Sequence, residues 1–422
     1  MEILSSYNLI IEVSLIIIIS FIFNGISKKT NVPAVLMLIV LGVGLQYALN
    51  YFTTDKLNFL PMLEVLGIVG LIMIVLEAAL ELELKREKLM PILKSMAIAL
   101  IGLIASAWVA ALILYEFIPE MTMQSAWLYA TPLSILSSAI IIPSVSVLNV
   151  NKKEFHIYES TFSDIMGIMM FYFLIGKLNP AEDSGVVGFT GNILLTIIIS
   201  LIASYAIIII FQKIKSQAKL FLLIAVLLLL YALGKKLHLS SLIIILIFGL
   251  VIANMKLFFK GKLAKYLEFK KAHQIYHELH IITLETAFVV RTFFFVIFGL
   301  TIAITSLFNL NVAIISLLII ASIYIIRFIL LQIFVGTDIL PQLFIAPRGL
   351  ITVLLFYAIP EEALISTFEP GILLFVIIGT SLIMTGAMIF DKKRSSKATE
   401  IANSKQVGSV KWKAPTIEDT KV

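Results

Sequence analysis

The run Glu159-Ser160-Thr161-Phe162-Ser163-Asp164, followed by Gly167, sets two carboxylates and three hydroxyls into an otherwise apolar stretch. On a helix, Ser160, Asp164 and Gly167 share one face, and Glu159 and Ser163 share the neighbouring one. Asp164 with Ser160 offers a carboxylate plus a hydroxyl, the hard oxygen ligands that a small cation takes. One carboxylate that holds either a cation or a proton, never both, couples the two by competition. The bland reading is an ion pair that glues helices together. No basic residue lies near Asp164 in the sequence, so the functional reading is preferred there.

Glu159 reads differently. Two carboxylates so close cannot both stay charged cheaply unless one is paired. Arg327, isolated within Ile323-Tyr324-Ile325-Ile326-Arg327-Phe328, is the natural partner, and a structural salt bridge is expected. Arg291 and Glu285 lie on nearly opposite faces of one helix and do not obviously pair with each other, and the sequence names no partner for either. Two further segments carry helix breakers: Ala130-Thr131-Pro132 with a second proline at Pro143, and Ala346-Pro347-Arg348-Gly349. Proline removes a backbone donor and frees carbonyl oxygens. Inside a membrane such backbone is tolerated only when it is buried in protein or lines a water-filled cavity.

The elements that must position these groups are membrane helices. Hydrophobic residues make up 60% of the 422 and charged residues only 14%, against about 45–50% and about 25% in soluble domains. A bilayer core needs about 20 apolar residues per helix. Reading runs against turn and charge signals gives about 13 spans: 8–26, 33–50, 60–81, 91–116, 126–148, 157–176, 189–212, 218–234, 240–255, 279–304, 311–335, 342–359 and 371–390. Span five is second in spans four to six, and span twelve is second in spans eleven to thirteen. Interrupted helices at matching places in two halves point to a transport site.

Charge then sets topology. Alternate loops and the tail hold 25 of the 32 basic residues, against 4 in the opposite loops. That bias places the C-terminus in the cytoplasm and the N-terminus outside, in a multi-pass inner-membrane protein. It also accounts for the net charge of +6 without any nucleic-acid partner. The absence of cysteine excludes disulfides and thiol metal sites. The first apolar stretch lacks a basic n-region and a cleavage motif, so it is read as a retained span. Residues 256–278 read as a basic amphipathic linker along the cytoplasmic headgroups, with His273, His277 and His280 on one solvated face. His277-Glu278-Leu279-His280 is one residue short of the zinc-protease HExxH pattern. The polar tail 391–422 is expected to be disordered.

Several local patterns, in order, resemble the monovalent cation:proton antiporter superfamily, in its sodium/proton exchanger branch. They are Asn31-Val32-Pro33, the stretch Leu76-Glu77-Ala78-Ala79-Leu80-Glu81-Leu82, Glu159-Ser160-x-x-Ser163-Asp164, Phe293 to Gly299, and Pro347-Arg348-Gly349-Leu350. The resemblance spans roughly residues 8–390. It implies an all-α inverted-repeat antiporter fold with two broken crossing helices. Dimerisation-domain helices would occupy 1–90 and 218–305, core transport helices 91–178 and 311–390, with a linking helix at 189–212. Asp164 would bind cation and proton, with Ser160, Thr131 and Ser163 as further site residues. Asp164, Ser160 and Thr131 would ligate Na+ or another monovalent cation. Glu159 and Arg327 would be the buried structural pair, and Pro132, Pro347, Arg348 and Gly349 the breaks. The partners implied are a monovalent cation, protons, the lipid bilayer and a second copy in a homodimer, with no cofactor.

Two departures stand out. The family's Thr-Asp-Pro reads Thr131-Pro132 here, which removes one potential ligand. The Asn before the key aspartate is Ser163, still a neutral group and compatible with electroneutral exchange. Three rival readings remain in view. One is a transport-inactive relative acting as a sensor or regulator, and another is a cation channel without proton coupling. The third, an intramembrane aspartyl protease, needs two facing aspartates, and Asp338 at a span end lacks the Gly-x-Gly-Asp context.

Overall fold

Runs of Ile, Leu, Val and Phe without charges can satisfy every backbone hydrogen bond inside lipid by forming helices. The computed structural model describes residues 6–30, 32–52, 60–82, 84, 86–145, 148–178, 185–214, 219–237, 241–301 and 309–406. Asn31, Lys56, Lys85, Lys215 and the tail beyond Gln406 lie outside the described residues. Among the described residues the chain forms fifteen α-helical segments and no strand. In order they are α1 Ser6–Thr30, α2 Ala34–Phe52, α3 Leu60–Glu81, α4 Leu89–Phe117, α5 Met123–Ser134, α6 Ser138–Ser144, α7 Val150–Gly176 and α8 Gly185–Phe211. There follow α9 Lys219–Lys236, α10 Ser241–Ala253, α11 Met255–Phe258, α12 Phe269–Thr301, α13 Leu310–Phe334, α14 Leu350–Tyr357 and α15 Gly371–Gln406.

Every expected span contains helix. Among the described residues, six helices are by length and composition apolar and long enough to cross a membrane: α4, α5 together with α6, α8 from Thr190, α12, α13, and α15 as far as Asp391. Several boundaries differ from expectation, α7 for instance beginning at Val150, and three of the differences have a direct physical reason. Helix α12 starts at Phe269, because Ala272, Ile275 and Leu279 form a buried stripe at helical spacing. The expected span 342–359 holds only a 3-10 turn, Gln342–Phe344, before its helix begins at Leu350. Pro347 lacks an amide donor and pushes Ala346 out of the helical region. The first part of the tail, 391–406, is helical rather than disordered. It needs no costly nucleus, since it extends a helix already formed.

Helices α2 and α3 each pack on α12, and α10 joins α3 to α8 and α9. Helix α4 packs on α5, α7 and α13, and α13 packs on α15. The crossing of α2 with α12 is set by two glycines. A Cβ on Gly42 would stand 2.1 Å from the Val296 carbonyl oxygen, and one on Gly299 would stand 2.5 Å from that of Ile39. Both obstacles are backbone, so no rotamer change relieves them. Small residues let membrane helices approach this closely. Gly299→Ala is therefore expected to destabilise the protein by about 1–3 kcal/mol, the range for overpacked sites. Thermal unfolding of the detergent-solubilised variant measures it, and an unchanged midpoint would contradict this account of the crossing.

Candidate functional site

The break between α5 and α6 is best read by asking where its backbone groups go, since buried amides and carbonyls must find partners. In a continuous helix the amides of residues 136 to 138 would bond the carbonyls of residues 132 to 134. Here the Leu136 amide donates to Ser163 Oγ on α7 at 3.0 Å. The Ser137 amide donates to the Pro347 carbonyl at 2.9 Å, so the two interrupted segments touch at their breaks. The freed carbonyls of Leu133 and Ser134 accept from Arg348, through Nε at 2.8 Å and Nη2 at 3.1 Å. Arg348 also donates through Nη1 to the Ala346 carbonyl at 2.8 Å, and its own amide donates to Thr380 Oγ1 at 3.1 Å. One buried guanidinium thus ties both breaks together. Glycine at 349 allows the approach, because a Cβ there would lie 2.4 Å from Ser137 Oγ. Gly167 does the same on α7, where a Cβ would lie 2.3 Å from Ile135.

Asp164 sits against this crossing. It is 3% exposed, and among the described residues neither carboxylate oxygen has a hydrogen-bond partner. Ser138, the first residue of α6, approaches it with hydroxyl and amide, though neither reaches hydrogen-bond geometry. One turn earlier on the same helix, the Ser160 hydroxyl donates to the His156 carbonyl at 2.7 Å. The Thr131 hydroxyl, one turn before the break, donates likewise to the Trp127 carbonyl at 2.7 Å. With their hydrogens tied back to the helix, both hydroxyl oxygens keep lone pairs for another ligand. Ser163 differs, since its oxygen already holds the Leu136 amide.

Glu159, on the neighbouring face of α7, meets Arg327 of α13 in a two-pronged pair at 2.7 and 2.9 Å. Both side chains are buried, and Arg327 Nε also donates to the Gln342 carbonyl at 3.0 Å. His156 Nδ1 stands 3.3 Å from the second carboxylate oxygen. A cavity of about 30 Å³, lined by Ser134, Glu159, Ser163, Arg327 and Arg348 among others, lies beside the pair. It has room for about one or two waters.

The comparison that decides identity is a family profile. The profile described as "Sodium/hydrogen exchanger, transmembrane" matches residues 14–390. The chain belongs to that family. Its fold is similar to that of the sodium proton antiporter MjNhaP1 from Methanocaldococcus jannaschii in a structure at pH 8. That match has a TM-score of 0.67 at 18% identity, covering 90% of this chain and 95% of the other. A second structure of the same antiporter, from electron microscopy, matches with a TM-score of 0.63 at 20% identity, covering 97% and 100%. No curated protein sequence matches the chain. Membership places this multi-pass membrane protein among transporters rather than enzymes, and supports cation/proton exchange as its activity.

Within the exchanger fold, sequence reasoning missed three features. Arg348 was expected as part of a break, whereas its guanidinium holds the carbonyls of both broken segments. Ser138 carries no signal of its own in the sequence, where Pro132 marks the break; the helix opens three residues later, at 135–137. Arg291 pairs with Glu77 of α3 at 3.2 Å, and Glu285 is exposed. A lone arginine and a lone glutamate in separate apolar spans were the available signal. The expected solvated histidine face is partly engaged as well. His273 and His280 stack on Tyr276 with ring centroids 5.9 Å apart, and His280 Nε2 lies 3.1 Å from Glu81.

Proposed function

We propose that the protein exchanges a monovalent cation, Na+ in the first instance, for H+ by competition at Asp164, with alternating access. The observation that carries this reading is the pair of Asp164 oxygens, buried and without a hydrogen-bond partner beside two crossed breaks. A buried polar group left unpaired is costly, and function is the usual reason for keeping one. A buried carboxylate that no donor among the described residues reaches in hydrogen-bond geometry can be satisfied in two ways: take up a proton, or take up a cation. Ser160 and Thr131, with oxygen lone pairs free, supply further hard ligands in this reading. Ser163 and Arg348 hold the unwound backbone, and Glu159 with Arg327 forms the structural pair. Inward- and outward-facing forms then arise by movement of the broken-helix core against the scaffold.

The reading is tested in proteoliposomes carrying a pH gradient, with Na+, K+ and Li+ added in turn. The expected result is collapse of the gradient by at least one of the three, with Na+ the strongest. Cation flux without proton movement would indicate a channel, and no response to any cation would indicate a transport-inactive relative. Either outcome overturns the proposal.

A further inference from the structure

Arg291 lies on α12, yet its guanidinium reaches three separate elements. Nη2 sits 3.3 and 3.2 Å from the two Glu77 oxygens on α3, and Nε lies 3.5 Å from the Ala287 carbonyl of its own helix. Nη1 donates to the carbonyl of Ala139 on α6 at 3.1 Å. That last contact has a cause in the sequence. In an α-helix the carbonyl of residue 139 accepts from the amide of residue 143, and residue 143 is proline, which has no amide hydrogen. Arg291 supplies the donor that Pro143 withholds. Ala139 directly follows Ser138, and α6 packs on α7, the helix that carries Asp164, so that Ser138 approaches that carboxylate.

We propose that Arg291 is a positioning residue for cation binding: anchored by Glu77, it holds the first turn of α6, and with it Ser138, against Asp164. The inference rests on Asp164 being the cation site. A mere glue between α3 and α12 would explain the ion pair but not the third contact. Lysine could not replace the arginine, because an ammonium is a single point charge whereas the guanidinium fork serves carboxylate and carbonyl together. Both side chains are slightly open, at 15% and 12% exposure, so neither depends on being sealed in a dry core.

The test replaces both charges at once, Glu77→Gln with Arg291→Met, so that neither partner is left stranded. In proteoliposomes the cation concentration giving half-maximal exchange is expected to rise about tenfold, as fits the loss of one charge-assisted hydrogen bond. The maximal rate per folded protein is expected to stay within about a factor of two, because uniform binding energy is what is removed. Hydrogen exchange of the 138–141 amides is expected to quicken, with that of α13 unchanged. Arg291→Lys should raise the half-maximal concentration by less than the double variant does. An unaltered half-maximal concentration in the double variant, or a fall in rate that merely follows yield, would overturn the proposal. Asp164→Asn in the same vesicles reports separately on the site itself. Exchange surviving there would reject the site, while hydrogen exchange in α6 still decides whether Arg291 holds that turn.

Discussion

Exchange by the Asp164→Asn variant should fall to the level of protein-free liposomes, with folded protein recovered in wild-type amount. Asparagine keeps the shape of the side chain and removes only its ability to become an anion. A neutral amide can neither release a proton nor balance a cation's charge, so both halves of the competition disappear together. Stability should be kept or slightly raised, for a reason visible in the geometry. Both Asp164 oxygens lack hydrogen-bond partners, so the substitution strands no donor elsewhere. A buried amide also costs less than a buried carboxylate. Size-exclusion profile and thermal midpoint check the folding, and cation-dependent collapse of a pH gradient checks the transport. Sustained exchange with a normal fold would show that the competing carboxylate lies elsewhere. The largely buried Glu77 would then be the first to examine, since it is an acidic group linked to α6 through Arg291.

How much of this was legible beforehand depends on the kind of signal. Helical segments followed from uncharged runs alone, because lipid leaves the backbone few alternatives. The meeting of Glu159 with Arg327 followed from cost: two isolated charges in apolar spans are expensive apart and cheaper together. Boundaries were less readable, and the reasons are local. Proline at 132 marked a broken helix, but the chain opens at 135–137, where α7 and Pro347 offer partners for the freed amides. That choice is tertiary, made by Ser163 and Arg348, and no property of residues 130–137 alone contains it. The same limit hid Arg291. Its charge was evident, but the carbonyl it serves becomes available only because Pro143 sits four residues beyond Ala139 in another helix.

The largest expected loss of stability comes from Arg327→Ala. Glu159 is 1% exposed, and both its oxygens rest on the Arg327 guanidinium. Removing the arginine leaves a buried carboxylate whose one remaining polar contact among the described residues is His156, 3.3 Å from one oxygen. It also frees the Gln342 carbonyl that Arg327 Nε had held, just ahead of the second break. Breaking a buried pair from one side typically costs about 3–5 kcal/mol, a large share of a marginal total. The variant is therefore expected to yield little monodisperse protein, whatever its transport rate. Charge and volume can be separated by adding the partner change. Glu159→Gln with Arg327→Met removes both charges and keeps most of the bulk, and should regain at least half of the lost stability, since isosteric replacement of a whole buried pair is often close to neutral. Normal yield and midpoint in Arg327→Ala would show that the pair contributes nothing to the fold. Failure of the double variant to recover would instead place the loss at the Gln342 carbonyl, making Arg327 the clasp that closes the 3-10 turn onto α13.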